Sequence, residues 1–242
     1  MSHSLSELLI ATIADMLAGM GHVAVGASSP IPGSAALLAQ AREPDMRVSV
    51  LGSETDNFFT DGGVELFDCA AQERIDAFFL SGGQIDGAGN INLVGIGEPP
   101  GSTVRFPGSF GSAYLYMLVP NVILFREEHS PRTLVERVDF VSAPGASPTG
   151  THRPGGPQAL VTGRCVFEFR DGGFRLRSLH PGESAQGVRA ATGFAFDAGA
   201  SVRETPAPAA ETLALLRGPV AARVAETYPA FAERVWGEGQ TA

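Results

Sequence analysis

Apolar residues recur every three or four positions from Leu5 to Leu17, through Leu8, Leu9, Ile13 and Met16, and predict an amphipathic helix over 6–17. Ser4 and Glu7 have the spacing of a capping box, and Gly19 and Gly21 supply the stop. The short apolar run His22–Gly26 predicts a buried strand, and 33–42 a second helix. Val48–Leu51 is a further strand, ending in Gly52-Ser53-Glu54-Thr55-Asp56. Short apolar strands alternating with helices indicate an α/β fold with an open, mostly parallel sheet covered by helices.

The same reading gives strands at 76–80, 121–125 and 137–141, then a Pro/Gly/Ser/Thr-rich surface loop over 142–157. Alternating runs at 158–169 and 173–179 flank Arg170-Asp171-Gly172-Gly173 and predict a hairpin. Helical patterns follow at 185–191 and 210–216, and an amphipathic helix runs from Pro219 through Trp236. The organisation expected is a single domain over 1–242. It comprises an α/β core (1–141), the loop (142–157), and a C-terminal hairpin with a helical appendage (158–242).

Composition narrows the function classes. The formal charge is −9, which disfavours nucleic acid and anionic membrane as partners, since both are bound through basic patches. All 17 basic residues are Arg, so Schiff-base chemistry and a P-loop lysine are excluded. No apolar run reaches membrane-spanning length and no basic region precedes the first apolar stretch, so a cytoplasmic, soluble protein is expected. Cys69 and Cys165 lie far apart in apolar contexts and read as buried free thiols. The histidines share no ligand spacing, so no metal is expected.

The segment Ser81-Gly82-Gly83-Gln84-Ile85-Asp86-Gly87-Ala88-Gly89-Asn90 follows an apolar strand. It brings bare backbone amides to the carboxyl end of a sheet, where open α/β folds place ligands. Turn formation around Asp-Gly accounts for the same residues, and the two readings are compatible. Gln84 and Asn90 are candidates for ligand contact, and Asp86 braces the turn. His180, before Pro181-Gly182, reads as a loop histidine bonded to backbone, with a general base as the sharper alternative. Arg105 suits either a phosphate or an interface ion pair.

Taken in order, Gly82–Asn92, Arg105-Phe106 with Gly108-Ser109, Val138–Val141 before Pro144-Gly145, Gly156-Pro157-Gln158, and Pro181-Gly182 before Thr192-Gly193-Phe194 resemble the β subunit of class I coenzyme A transferases of the glutaconate type. The resemblance implies a homologous larger α subunit, an α2β2 heterotetramer, and an active site at the subunit junction. It implies acyl-CoA and carboxylic acids as substrates, with coenzyme A itself a substrate and no tightly bound cofactor. The family's nucleophilic glutamate matches Glu54, where Thr55-Asp56 replaces the usual Asn-Gly; a register two or three residues earlier places Leu51 in that column instead. The oxyanion donor matches Gly111 in Gly108-Ser109-Phe110-Gly111-Ser112, and Gly82, Gly83, Gln84, Asn90, Gly108 and Ser109 match the substrate and CoA contacts. Ser178–Gly182 is similar to a steroid-degrading branch of the fold, which hydrolyses a carbon–carbon bond of a CoA thioester with a glutamate on the partner subunit.

Overall fold

The structure, a computed structural model, describes residues 2–98, 100–199 and 201–237. They group into two compact units, one of the described residues within 2–79 and 206–237 and one of those within 80–205.

In the first unit, α1 (Leu5–Met16) begins at the foreseen capping box, with Ser4 Oγ accepting from Glu7 N–H and the Glu7 carboxylate accepting from Ser4 N–H. Strand β1 (His22–Val25) is flanked in parallel by β2 (Arg47–Val50) and β3 (Ala77–Leu80), with Val23 opposite both Val48 and Ala77. Between β1 and β2 runs α2 (Pro30–Arg42), which starts three residues earlier than the periodicity indicated because Pro30 suits the first helical turn. Helix α3 (Gly62–Ala71) was not foreseen. Only Leu66, Cys69 and Ala70 mark its buried face, and Asp61 gives no side-chain cap.

The C-terminal segment packs into this same unit as α6 (Ala210–Leu215), a π-helical turn over Leu216–Val220, α7 (Ala221–Thr227) and α8 (Pro229–Trp236). The single helix expected to follow Pro219 is therefore two, because Pro229 cannot continue α7 and opens α8 instead. Arg217 ties this segment to α1 through Glu7, which is 3% exposed. Gly33 of α2 lets the helix approach Tyr228, whose ring carbon would lie 2.9 Å from an added Cβ.

In the second unit, two ribbons precede the main strands. β4 (Gln84–Ile85) pairs antiparallel with β5 (Ile91–Asn92), and β6 (Gly95–Ile96) with β7 (Val104–Arg105). After α4 (Ser112–Leu118), also unforeseen, the strands β8 (Asn121–Arg126), β9 (Pro157–Thr162), β10 (Cys165–Arg170) and β11 (Gly173–Leu179) lie side by side in that order. After α5 (Ala185–Ala190), β12 (Arg203–Glu204) adds to β11. The run 158–169, read as one strand, is two strands folded back at Gly163-Arg164. There the Thr162 hydroxyl accepts from the Arg164 and Cys165 N–H groups. The strand expected at 137–141 is absent, because the N–H groups at its middle bond side chains, Val138 N donating to Asp86 Oδ2 and Asp139 N to Gln84 Oε1 at 2.9 Å. The core is aromatic: Phe167 meets Phe196 edge-on at 5.0 Å, and Phe174 stacks on Phe194 at 5.3 Å.

Among the described residues, β1–β2, β1–β3, β8–β9 and β11–β12 pair in parallel, and β9–β10 and β10–β11 antiparallel. This is the open, mostly parallel α/β architecture that the pattern predicts.

Candidate active site

In the first unit the chemistry centres on the turn after β2. Gly52 takes φ +94°, a left-handed value that a side chain would strain, and lets the chain reverse directly after the strand. The buried Ser53 hydroxyl accepts from Thr55 and Asp56 N–H and donates to Glu226 Oε2 at 2.8 Å. The N–H of Glu54 donates to Glu226 Oε1 at 2.8 Å. Hydrogen bonds from Thr227, then from Glu54 and Ser53, hold the Glu226 carboxyl below the usual carboxylate range. Arg223, also from α7, pairs with Asp56 and reaches Gln40 Oε1 at 2.7 Å. The negative charge that Asp56 adds beside Glu54 is thereby compensated. Glu54 itself is exposed, and among the described residues nothing hydrogen-bonds its carboxylate. The alternative position, Leu51, is half-buried at the end of β2.

In the second unit the glycine run lines a cleft of about 430 Å³. Gly82 and Gly83 form part of its wall with Phe106, Leu93, Arg126 and Arg132. Gly83 is required by close approach, since an added Cβ would lie 2.8 Å from Phe106 Cε1 and nearer still to Cε2 and Cζ. Gln84 is turned inward, where its Oε1 accepts from Asn92 Nδ2 at 2.7 Å and from Asp139 N–H. Asn90 spans the loop, donating to Asp86 Oδ2 and accepting from Gly145 N–H. Asp86 braces the turn as the sequence suggested, accepting from the N–H groups of Ala88 and Asn90.

Gly108, Ser109 and Gly111 form the approach to α4 and are not among the cleft walls. Gly108 and Gly111 have φ +110° and +66°, and between them Phe110, 73% exposed, is held at φ +31°. The carbonyl of Gly111 accepts from Tyr114 and Leu115 N–H, while its own N–H has no partner among the described residues.

A second polar cluster is buried and spent. His180 donates from Nε2 to Thr162 O and shares a hydrogen bond between Nδ1 and Thr205 Oγ1, both 2.9 Å, and burial lowers its pKa. His129 lies between Thr162 and Thr192 hydroxyls, and burial, followed by the charge of Arg164, pushes it down to about 4. Cys165 lies 3.8 Å from His129 Nδ1, but burial pushes its thiol up to about 12, so the pair is two neutral groups and no nucleophile. Both cysteines are free and buried.

Sequence reading missed Arg126 and Arg132 in the cleft and the Arg223–Glu226 brace on the turn. The signal for the arginines was present: the charged stretch Arg126–Arg132 begins at the last residue of the parallel strand β8, and such strand ends carry ligands. The brace had none, because Glu226 and Glu54 are 172 residues apart.

Comparison with known proteins bears on the family and the fold. The chain is 36% identical over 152 residues to one subunit of the 3-oxoadipate CoA-transferase of Pseudomonas knackmussii, a match that covers 60% of this chain and 58% of that protein. It is 26% identical to the cholesterol ring-cleaving hydrolase IpdB subunit of Rhodococcus jostii, over 88% of this chain and 90% of that protein. The solved structure of glutaconate coenzyme A-transferase from Acidaminococcus fermentans superposes with a TM-score of 0.79 at 25% identity, covering 92% of this chain and 98% of that one. A family model, Coenzyme A transferase, matches residues 2–191, and the chain belongs to that family.

Proposed function

We propose that this chain is the β-type subunit of a heteromeric cytoplasmic CoA-transferase, working with a homologous α subunit in an α2β2 assembly. It moves CoA between carboxylic acids through a glutamyl-CoA thioester on Glu54. One observation carries the reading: an exposed carboxylate stands on a turn whose backbone is locked at the carboxyl end of a parallel strand. The Glu54 carboxylate attacks the thioester carbon, the C–S bond breaks, and CoA leaves as thiolate, so that an acyl-glutamyl anhydride remains. The thiolate then attacks the glutamyl carbonyl and expels the acyl carboxylate, and an acceptor acid reverses the sequence to collect CoA. The N–H of Gly111 is the proposed donor to the thioester oxyanion, a kind of donor whose removal costs about 10²–10³ in rate. The match to the 3-oxoadipate CoA-transferase subunit supports this reading.

A second reading has its own support. The match to the ring-cleaving hydrolase subunit spans nearly the whole chain, whereas the transferase match covers 58% of its counterpart. In that reading the partner supplies the glutamate, and this chain lends the cleft. Trapping separates the two. After the two subunits are mixed with acyl-CoA and treated with borohydride or hydroxylamine, transfer predicts a mass change on the peptide bearing Glu54. Glu54→Gln then lowers turnover by about 10³-fold or more. An unmodified β chain alongside hydrolysed product, with Glu54→Gln fully active, decides for the hydrolase.

A further inference from the structure

The turn that bears Glu54 is held by a carboxylate from a distant part of the chain. Helix α7 lies beyond residues 2–191, which carry the family match. Its Glu226 reaches back to the Ser53 hydroxyl and to the Glu54 N–H, both at 2.8 Å. From Ser53 to Asp56 every N–H is bonded: Ser53 N donates to Val50 O, and Thr55 and Asp56 N donate to Ser53 Oγ. Only the N–H of Glu54 depends on an acceptor from outside the strand and its turn.

The bonding pattern at this acceptor suits a carboxylate and not its amide. The Ser53 oxygen already accepts two N–H groups, so both lone pairs are used and its proton must find an acceptor. Glu226 Oε2 takes that proton's bond together with the one from Thr227 Oγ1, while Oε1 takes the Glu54 N–H. Both oxygens therefore face donors. A glutamine here would turn its NH2 group towards either the Ser53 proton or the Glu54 N–H, and in both orientations two donors meet.

Docking of α7 does not require Glu226. Val224 is the buried residue of that helix, Arg223 bonds Asp56 and Gln40, and Tyr228 lies against Gly33. Glu226 itself is exposed, so its replacement should change stability little.

We propose that Glu226 is a positioning residue for the nucleophile: its carboxylate fixes the peptide N–H of Glu54 and so the direction in which the Glu54 side chain leaves the turn. This role rests on the reading of Glu54 as the nucleophile.

The test compares the wild-type α/β complex with Glu226→Gln, Ser53→Ala and the double variant on one acyl-CoA, with thermal melts to fix the folded fraction. Misplacing a reacting group by about 1 Å costs about 10²-fold, so Glu226→Gln should lower kcat about 10- to 100-fold. The KM should stay within about 2-fold, because the bond matters to attack and not to substrate binding. Borohydride trapping at Glu54 should slow by the factor seen in kcat and reach the same final stoichiometry. Ser53→Ala removes the donor that opposes the new amide, so the double variant should lose less than the product of the two single losses. Hydrogen–deuterium exchange of the full chain gives a readout independent of turnover: peptide 52–56 should exchange faster in Glu226→Gln, with β1 unchanged. A wild-type kcat, single losses that simply multiply, unchanged exchange at the turn, or a deficit that vanishes when rates are referred to folded complex overturns the proposal. Full turnover by Glu54→Gln sinks the transferase reading and this role with it. A Glu54→Gln complex without turnover beside an unimpaired Glu226→Gln complex sinks this role alone.

Discussion

Replacing Gly83 by alanine puts a methyl group where the ring of Phe106 already lies. The added Cβ would sit 2.8 Å from Phe106 Cε1 and closer to two further ring carbons, against an ordinary contact of about 3.4 Å or more. Phe106 cannot withdraw its backbone freely, since its N–H is held by Val94 O at 3.0 Å. The ring must therefore rotate, and as it forms part of the wall it rotates at the expense of the cleft. Overpacking of this kind costs about 1–3 kcal/mol, which at this chain length lowers Tm by about 2–12 °C. Differential scanning fluorimetry reads the stability, and steady-state kinetics in the α/β complex reads the cleft as a raised KM. Phe106→Ala removes the obstructing ring, so the double variant should recover part of the Tm loss, with a coupling of at least about 0.5 kcal/mol. A Gly83→Ala protein with wild-type Tm and wild-type KM would refute the argument that this glycine is there for close approach.

Two further outcomes follow from the same geometry. Arg223→Ala leaves the Asp56 carboxylate, 15% exposed, without its partner and should cost about 1–2 kcal/mol in urea unfolding while lowering kcat, because the turn bearing Glu54 loosens; an unchanged midpoint and rate contradict the brace. His129 has a folded pKa near 4 against an ordinary value of 6.5, so the unfolded chain takes up the proton first. Stability is then full above about pH 6.5 and falls as pH drops towards 4, by at most about 3 kcal/mol. His129→Gln should flatten that part of the profile, and a profile identical to wild type counts against the burial of a neutral imidazole.

The local pattern determined a good deal. Periods of 3.6 and 2 fixed the helices after Ser4, the apolar strands β1, β2, β3 and β8, and the class of sheet they make, because burial of one face is written into consecutive residues. The positions of Glu54 and of the Gly82-Gly83 pair at strand ends were legible for the same reason. Where the pattern failed, competing polar partners won. Residues 137–141 have a strand's composition, yet Asp86 and Gln84 take the N–H groups of Val138 and Asp139; and 158–169 divides where the Thr162 hydroxyl stabilises a turn. Tertiary structure alone decided that α7 braces the turn bearing Glu54, that Gln84 and Asn90 point into the loop's own framework, and that Arg126 and Arg132 meet on one carboxylate, Glu128, beside the cleft. Each of these depends on side chains meeting in space, and no periodicity along the chain encodes which partners they find.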